Sequence, residues 1–497
     1  MALEGEAALA WELAERLLRA LGADGMLSGA DGDAYAVQGV APLAVARPDE
    51  IDGVCAAVAA AAELDVPVLP WGGGTRQAIG YPPRQRGLVL SLERLTRVIE
   101  YDPADLTVTV QAGITHAALA ARLAREGQTL PLDVALPGRA TVGGTLAVGG
   151  LSGGLRRAFY GGARDTTLGL RVVDASGGLI RTGGRVVKNV TGYDMTKLFI
   201  GALGTLGVIV EASFKLAPLP ETEATVLGIF PQAARAFEAV PALEALALRP
   251  SALAAVQVDA LPELAHLGAT HGDFVLFAVR LPGPATAVER AVREARAVLQ
   301  QAGARTILEV EHAAHEAFWA PLERLAAAGT SSPSGRSEAL LRLPALPSEL
   351  PEALEMARAL AQDRVLALAW LADAATGTLW LRLHTAAAAS SPSSPPFVGS
   401  YGGRPASPGD EDRFSRELAD LLGELQRAYP HTIVLDCPPT MKADLPIWGT
   451  PPPAVSRRVM RDLRQRLDPA SRLNPGRYLP DLEAGDTDDT PAPAASS

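Results

Sequence analysis

Cysteine is almost missing: Cys55 and Cys437 are the only two, far apart in the chain. A disulfide framework, a zinc cluster or a cysteine-ligated iron–sulfur centre cannot be assembled from them. Aromatic residues make up only 5% of the 497 residues, and no apolar run reaches the ~18 residues needed to cross a bilayer. The N-terminus carries no basic stretch followed by an apolar one, so no secretory signal is expected. No Gly-Lys pair occurs, which excludes a P-loop. A formal net charge of −11 argues against a sequence-independent nucleic-acid binder, since such proteins displace counterions with Lys and Arg. The expectation is a cytoplasmic protein with no direct membrane span, any attachment to the inner face of a membrane coming through partners.

Glycine (48) and proline (39) are plentiful, in a background that is 48% hydrophobic. Length and composition suit two or three domains rich in turns and close backbone approaches. The spacing of Leu9, Leu13, Leu17 and Leu21 predicts an amphipathic helix over 2–21. A short apolar run at Leu43–Ala46, a helix from Pro48 to about Leu64 and a strand at Val66–Pro70 then lead into the turn Trp71-Gly72-Gly73-Gly74-Thr75. Strands follow at 88–92, 98–101 and 106–111, and a helix runs from Thr115 to near Gly127. Residues 131–162 are glycine-rich with little periodicity. A hairpin is expected at 168–182 and a strand at 208–216. From 221 the pattern changes to alternating strands and Ala/Arg-rich helices. Residues 386–409 read as a Ser/Pro/Gly insertion, and 483–497 as an acidic tail without packing residues.

Common motifs fail. Neither Gly72-Gly73-Gly74 nor Gly201-x-x-Gly204-x-x-Gly207 has the spacing of a Rossmann loop. Gly150-Leu151-Ser152-Gly153-Gly154 fits a nucleophile elbow in letters, but its flanks lack the strand and helix that an elbow needs. His312, His315 and Glu316 share a helix without zinc-site spacing and read as a solvated face. His116, His384 and His431 suggest no chemistry. Asn189-Val190-Thr191 is a glycosylation sequon in form only.

Four glycine-rich stretches remain: 70–75, 137–150, 153–164 and 183–207. Glycine brings backbone N–H groups close to an anion, and Thr75, Thr141, Ser152 and Thr205 add hydroxyls beside them. Several such loops suit a long ligand with a pyrophosphate and a flat ring. Their order and content resemble the vanillyl-alcohol oxidase/PCMH family of FAD-binding proteins. The resembling segments are Pro70–Thr75; Leu136-Pro137-Gly138 with Thr141-Val142-Gly143-Gly144; Val187–Asp194; Gly204–Ile209; and Leu467-Asp468-Pro469 with Leu473–Arg477. Within that family, Lys188–Asp194 with Gly154-Leu155-Arg156-Arg157 and Arg164-Asp165 look most like the FAD-binding subunit of glycolate oxidase (GlcE type).

The resemblance implies an α+β fold: a PCMH-type two-subdomain FAD-binding domain, then an α+β cap, with the C-terminal segment packing back on the FAD domain. The expected divisions are 1–36 (helical), 37–220 (FAD-binding), 221–430 (cap, with a disordered insertion at 386–410), 431–482 (returning segment) and 483–497 (disordered tail). By the same resemblance FAD contacts fall on Pro70, Trp71, Gly72, Gly73, Gly74, Thr75 and Arg76 in the first loop, and on Pro137, Gly138, Thr141, Val142, Gly143 and Gly144 in the second. Gly154, Arg156, Arg164, Asp165, Lys188, Asn189, Gly192, Tyr193 and Asp194 are also expected to contact the cofactor, with Lys188 and Asn189 flavin-proximal. Gly204, Thr205, Gly207, Val208, Ile209 and Asn474 complete the set.

Members that attach FAD covalently use a His in or near the first loop. Residues 71–81 contain none, so non-covalent FAD is expected. Members that oxidise 2-hydroxy acids themselves carry a His/Glu metal constellation. Here Thr270-His271-Gly272-Asp273-Phe274 breaks that pattern, so no metal and no catalytic residue are assigned. The implied role is the FAD-binding subunit of a glycolate oxidase-type 2-hydroxy acid dehydrogenase, working beside a homologous catalytic flavoprotein and an iron–sulfur subunit. The alternatives are a stand-alone FAD-dependent oxidoreductase that clamps a carboxylate with second-domain arginines, and a flavin-free scaffold.

Overall fold

The computed structural model describes residues 2–27, 30–151, 154–184, 193–257, 274–310, 314–329, 337–385 and 408–479. The helix Ala2–Leu21 buries Leu13 and Leu17 as its spacing requires. Strands Ala44–Ala46 and Val68–Trp71 lie parallel on either side of Leu88–Ser91, and helix Ile51–Glu63 makes the crossover. A second sheet of the first domain runs in the order 98–102, 107–111, 208–215, 167–173, 179–183, and every neighbouring pair is antiparallel. The expected hairpin at 168–182 is its edge.

The stretch 131–162 is more ordered than its glycines suggest. Thr141 caps a helix, Val142–Val148, by accepting a hydrogen bond from Gly144 N at 3.3 Å, and Gly149 ends it at φ 62°. One turn of apolar residues between glycines has too little periodicity to be seen in advance.

An eight-stranded sheet dominates the second half, in the order 306–310, 222–230, 275–283, 252–257, 366–373, 378–385, 338–344, 433–436. All of its pairs are antiparallel. Alternation along its strands sorts the two faces. Phe230, Phe277, Val279, Leu341 and Leu343 face a helical layer that includes Ala285–Gln301, Leu350–Asp363 and Pro408–Ala428. Leu227, Leu276, Leu340 and Trp380 face the other way and pack with Phe318 and Trp319 of helix His315–Leu325, and with Ile79, Val148 and Leu203 of the first domain. The second domain is therefore docked on the first through one face of its sheet.

Strand Ile433–Asp436, expected in the returning segment, instead pairs with Glu338–Pro344 as the sheet's edge. The return follows helix Ala454–Leu467. Arg472 O accepts from Val68 N at 2.8 Å, Asn474 N donates to Val68 O at 2.9 Å, and the buried Asp468 carboxylate accepts from the amides of Arg472 and Leu473.

Phe277 is fully buried and meets Phe230 edge-on, ring centroids 6.4 Å apart. Phe277→Ala is expected to destabilise the second domain by about 3–5 kcal/mol. A shift in its denaturant midpoint checks this.

Candidate functional site

Strand Val68–Trp71 delivers the chain into the loop at 72–76. A Cβ at Gly72 would lie 2.2 Å from Thr141 Oγ1, and one at Gly73 would lie 1.7 Å from the Arg139 carbonyl. The first two glycine segments thus pack directly on each other, and Gly74 at φ +69° turns the chain away. Among the described residues, the amides of Gly72, Gly73, Gly74 and Thr75 donate to no protein acceptor. They border a cleft. The helix behind contributes differently, because Val142 N donates to Ile114 O at 3.0 Å and Gly143 N to Ala112 O at 2.8 Å. The open donors belong to the first loop.

The opposite wall is the turn at 203–209. Gly204 has φ +70°, and a Cβ at Gly207 would strike Val172 Cγ1 at 2.3 Å. Asn474 adopts φ 47° and donates from Nδ2 to Leu203 O at 2.6 Å. Arg477 closes the floor. Burial lowers its pKa to about 10, and its Nε finds no partner. Burial likewise lowers Arg76 to about 10. His116 accepts or donates at Thr145 Oγ1, 2.9 Å away, and burial with the nearby Arg76 charge brings it down to about 4, so it is neutral.

Of the residues singled out in the sequence, Pro70, Trp71, Gly72, Gly73, Gly74, Thr75 and Arg76 line this cleft together with Thr141, Gly143 and Gly144. Gly204, Gly207, Val208, Ile209 and Asn474 line it from the other side. Gly154, Arg164 and Asp165 line a second, adjoining and roomier cleft, which shares Val148 with the first. Pro137, Gly138, Val142, Arg156 and Thr205 line neither. Tyr193 is 97% exposed and Asp194 pairs with Lys197 at 2.6 Å, so neither reaches a cleft. Lys188, Asn189, Gly192, Ser152, His271, Asp273 and His312 lie outside the described residues, as do 386–407 and the tail.

The second cleft lies between the two domains. The first domain gives it Asp133, Arg157 and Arg164, and the second gives Arg342, His431 and Trp448; Tyr478 comes from the returning segment. Trp448 and Tyr478 meet edge-on at 5.1 Å. Arg342 sits on the domain-facing side of its strand, since Ala339, Leu341 and Leu343 point to the helices. Burial and repulsion from Arg157 lower its pKa to about 10, and its Nε has no partner. Among the described residues neither Arg157 nor Arg342 makes an ion pair within 4 Å. Sequence reading missed Arg342; the interruption of an alternating apolar strand by Arg was the signal.

Beside this cleft each domain carries its own charged pairs, and the carboxyls of Glu223 and Glu323 act across the contact on Arg156. Asp133 accepts from Arg156 Nε and, at 2.8 Å, from its backbone N. His315 is buried, not on the solvated face its spacing suggested: its Nδ1 lies 3.2 Å from Thr225 Oγ1 and its Nε2 3.1 Å from Glu223. Burial pushes Glu223 up, but His315 and Arg280 outweigh it and hold the carboxyl at about 2. Glu323, buried nearby and facing Asp133, is raised to about 8.

Residues 42–183 match the family model described as an FAD binding domain. The chain is 33% identical over 280 residues to glycolate oxidase subunit GlcD of Bacillus subtilis (strain 168), covering 56% of this chain and 59% of that protein. It is 36% identical over 155 residues to glycolate oxidase subunit GlcE of Escherichia coli (strain K12), covering 31% of this chain and 43% of that one. The chain thus spans little more than half, or less, of these relatives. In fold it is similar to p-cresol methylhydroxylase with substrate bound, at a TM-score of 0.70 and 17% identity, over 95% of this chain and 96% of that one.

The two-loop contact makes a paired prediction. Gly73→Ala drives a Cβ into backbone and is expected to cost about 1–3 kcal/mol, whereas Gly138→Ala, with nothing within 4 Å, should leave the melting temperature unchanged. Thermal unfolding of the two variants side by side checks it.

Proposed function

We propose, because this chain belongs to the FAD-binding PCMH family, that it is an FAD-dependent oxidoreductase acting on a small 2-hydroxy acid. The observation that carries the reading is the run of four unclaimed amides at Gly72–Thr75, facing a cleft floored by the buried Arg477 guanidinium. Unpaired, partly exposed donors of this kind fit a pyrophosphate. Gly72, Gly73, Gly74, Thr75 and Thr141 would hold that group, Gly204, Gly207 and Asn474 the nucleotide side, and Gly154, Arg164 and Asp165 the ring end. The first loop offers no His for a covalent bond, so the cofactor is held non-covalently. When bound, FAD supplies the two-electron acceptor.

The second cleft provides the rest. Arg157 and Arg342 present two guanidinium groups that make no ion pair within 4 Å, Asp373 acting on Arg342 only from farther away, which suits a carboxylate. Their charge binds and orients the acid, while the Trp448–Tyr478 pair shields one wall from water. This favours a chain that turns over substrate itself. The likeness to glycolate oxidase subunits supports a companion reading, in which it works beside a homologous flavoprotein and an iron–sulfur subunit.

The purified chain should show the visible spectrum of bound flavin, and anaerobic glycolate or D-lactate should bleach it. A colourless protein that ignores added FAD overturns the reading; a flavin that never bleaches assigns turnover to a partner. Arg342→Met should raise KM for the acid about 10- to 100-fold, the loss of one charge-assisted hydrogen bond of about 1.5–3 kcal/mol, with FAD uptake intact. Steady-state kinetics checks this.

A further inference from the structure

The open amides of the first loop continue directly into residues 77–81, and the carbonyls of this continuation are all taken. Arg477 donates from Nη2 to Gln77 O and Ile79 O, both at 2.9 Å, and from Nη1 to Tyr81 O at 2.8 Å. Lys442 donates from Nζ to Ala78 O and, at 3.4 Å, to Gly80 O. Gln38 Nε2 adds bonds to Gln77 O and Gly80 O. A Cβ at Gly80 would lie 2.4 Å from Arg477 O, so the two segments touch backbone to backbone. Lys442 is fully buried, and it comes from the second domain, on the helix Pro439–Lys442 that follows the edge strand. Tyr81 joins the same contact by donating to Leu445 O at 3.1 Å.

Held at their carbonyls by two cations, residues 77–81 anchor the C-terminal end of the amide-bearing loop and place positive charge behind it. We propose that Lys442 and Arg477 are positioning residues for the dinucleotide: a two-cation brace, one arm from each end of the interdomain contact, that fixes the amide-bearing loop and draws the diphosphate to it. This rests on the reading that FAD occupies the first cleft. It makes cofactor affinity depend on the docking of the second domain, although Lys442 touches neither cleft.

The charge on Lys442 supplies the test. Burial lowers its pKa to about 8, Asp436 and Cys437 oppose that shift, and Arg477 adds to it. Burial raises Asp436, which accepts from Gly329 N at 2.7 Å, and burial pushes the Cys437 thiol up to about 12. Arg76 and Arg477 keep their charge across the neutral range. The sign follows from linkage: the ammonium is present below about pH 8 and lost above it, and an anion at the loop favours the charged form. FAD affinity should therefore be greatest below pH 8 and fall above it.

The experiment is FAD titration of the flavin-stripped full chain, followed by flavin fluorescence between pH 7 and 9.5, for wild type, Lys442→Met, Lys442→Gln and the exposed control Lys215→Met. Wild type and the control should lose at least tenfold in affinity across that range. Both Lys442 variants should start at least tenfold weaker at pH 7 and show a flat profile. Should Lys442→Met fail to fold, the wild-type profile and Lys442→Gln still decide. Variants within twofold of wild type, or a flat wild-type profile, overturn the brace alone. A wild type that takes up no FAD at any pH overturns both the brace and the function proposed above.

Discussion

The contact of Gly72 and Gly73 with Thr141 and the Arg139 carbonyl is the constraint on which the cleft depends. Two chain segments meet there with no room for a side chain, and the consequence is directional. Val142 and Gly143 spend their amides on Ile114 O and Ala112 O and Gly144 spends its own on Thr141 Oγ1, whereas the first loop, lying on top, keeps its amides open. A glycine-rich segment can thus serve a ligand without touching it, by letting another backbone come close enough to be held rigid. Glycine's usual reading, as a residue that itself faces an anion, applies to the outer loop, and its packing role applies to the inner one.

Charge follows the same division. The chain is acidic as a whole, with 56 Asp and Glu against 45 Lys and Arg. Yet the groups buried around the first cleft are Arg76, Arg477 and, one layer back, Lys442, all with pKa values lowered by burial. Burying cations costs stability. Arg477 and Lys442 meet that cost with backbone carbonyls, which solvate the charge without neutralising it, so an anion in the first cleft is favoured.

Much of the first domain was legible because its signals are local. Strand alternation at Thr107–Gln111, the Thr115 cap with Gly127 at φ 64°, and the hairpin at Thr167–Gly183 each follow from a few neighbouring residues. The glycine loops were legible for the same reason. Strands such as Thr222–Phe230 and Ala252–Gln257 were not, because both faces are covered and the alternation that marks a half-exposed strand disappears. His315 was misread as solvated for a related reason: helical spacing says which residues share a face, and only the sheet packed against it says which face is buried. Lys442 left no local trace at all, since its partners are carbonyls far away in sequence.

Paired and unpaired charges separate structure from function in the interdomain region. Trp319 Nε1 can only donate, at 3.0 Å, to Thr225 Oγ1, which lies 3.2 Å from His315 Nδ1, and His315 Nε2 lies 3.1 Å from Glu223 Oε2. Glu223 in turn holds Arg280 at 2.6 Å, and Asp133 holds Arg156. These groups are occupied with one another. Arg342 sits on the same face of the same sheet, with a guanidinium that no carboxylate takes. A fold that had no use for that charge could replace it with Leu and gain packing against Trp380, its neighbour across the strand pair. The sheet thus uses its inner face for two purposes, pairing polar groups with one another along one part and leaving cations open to a bound acid along another.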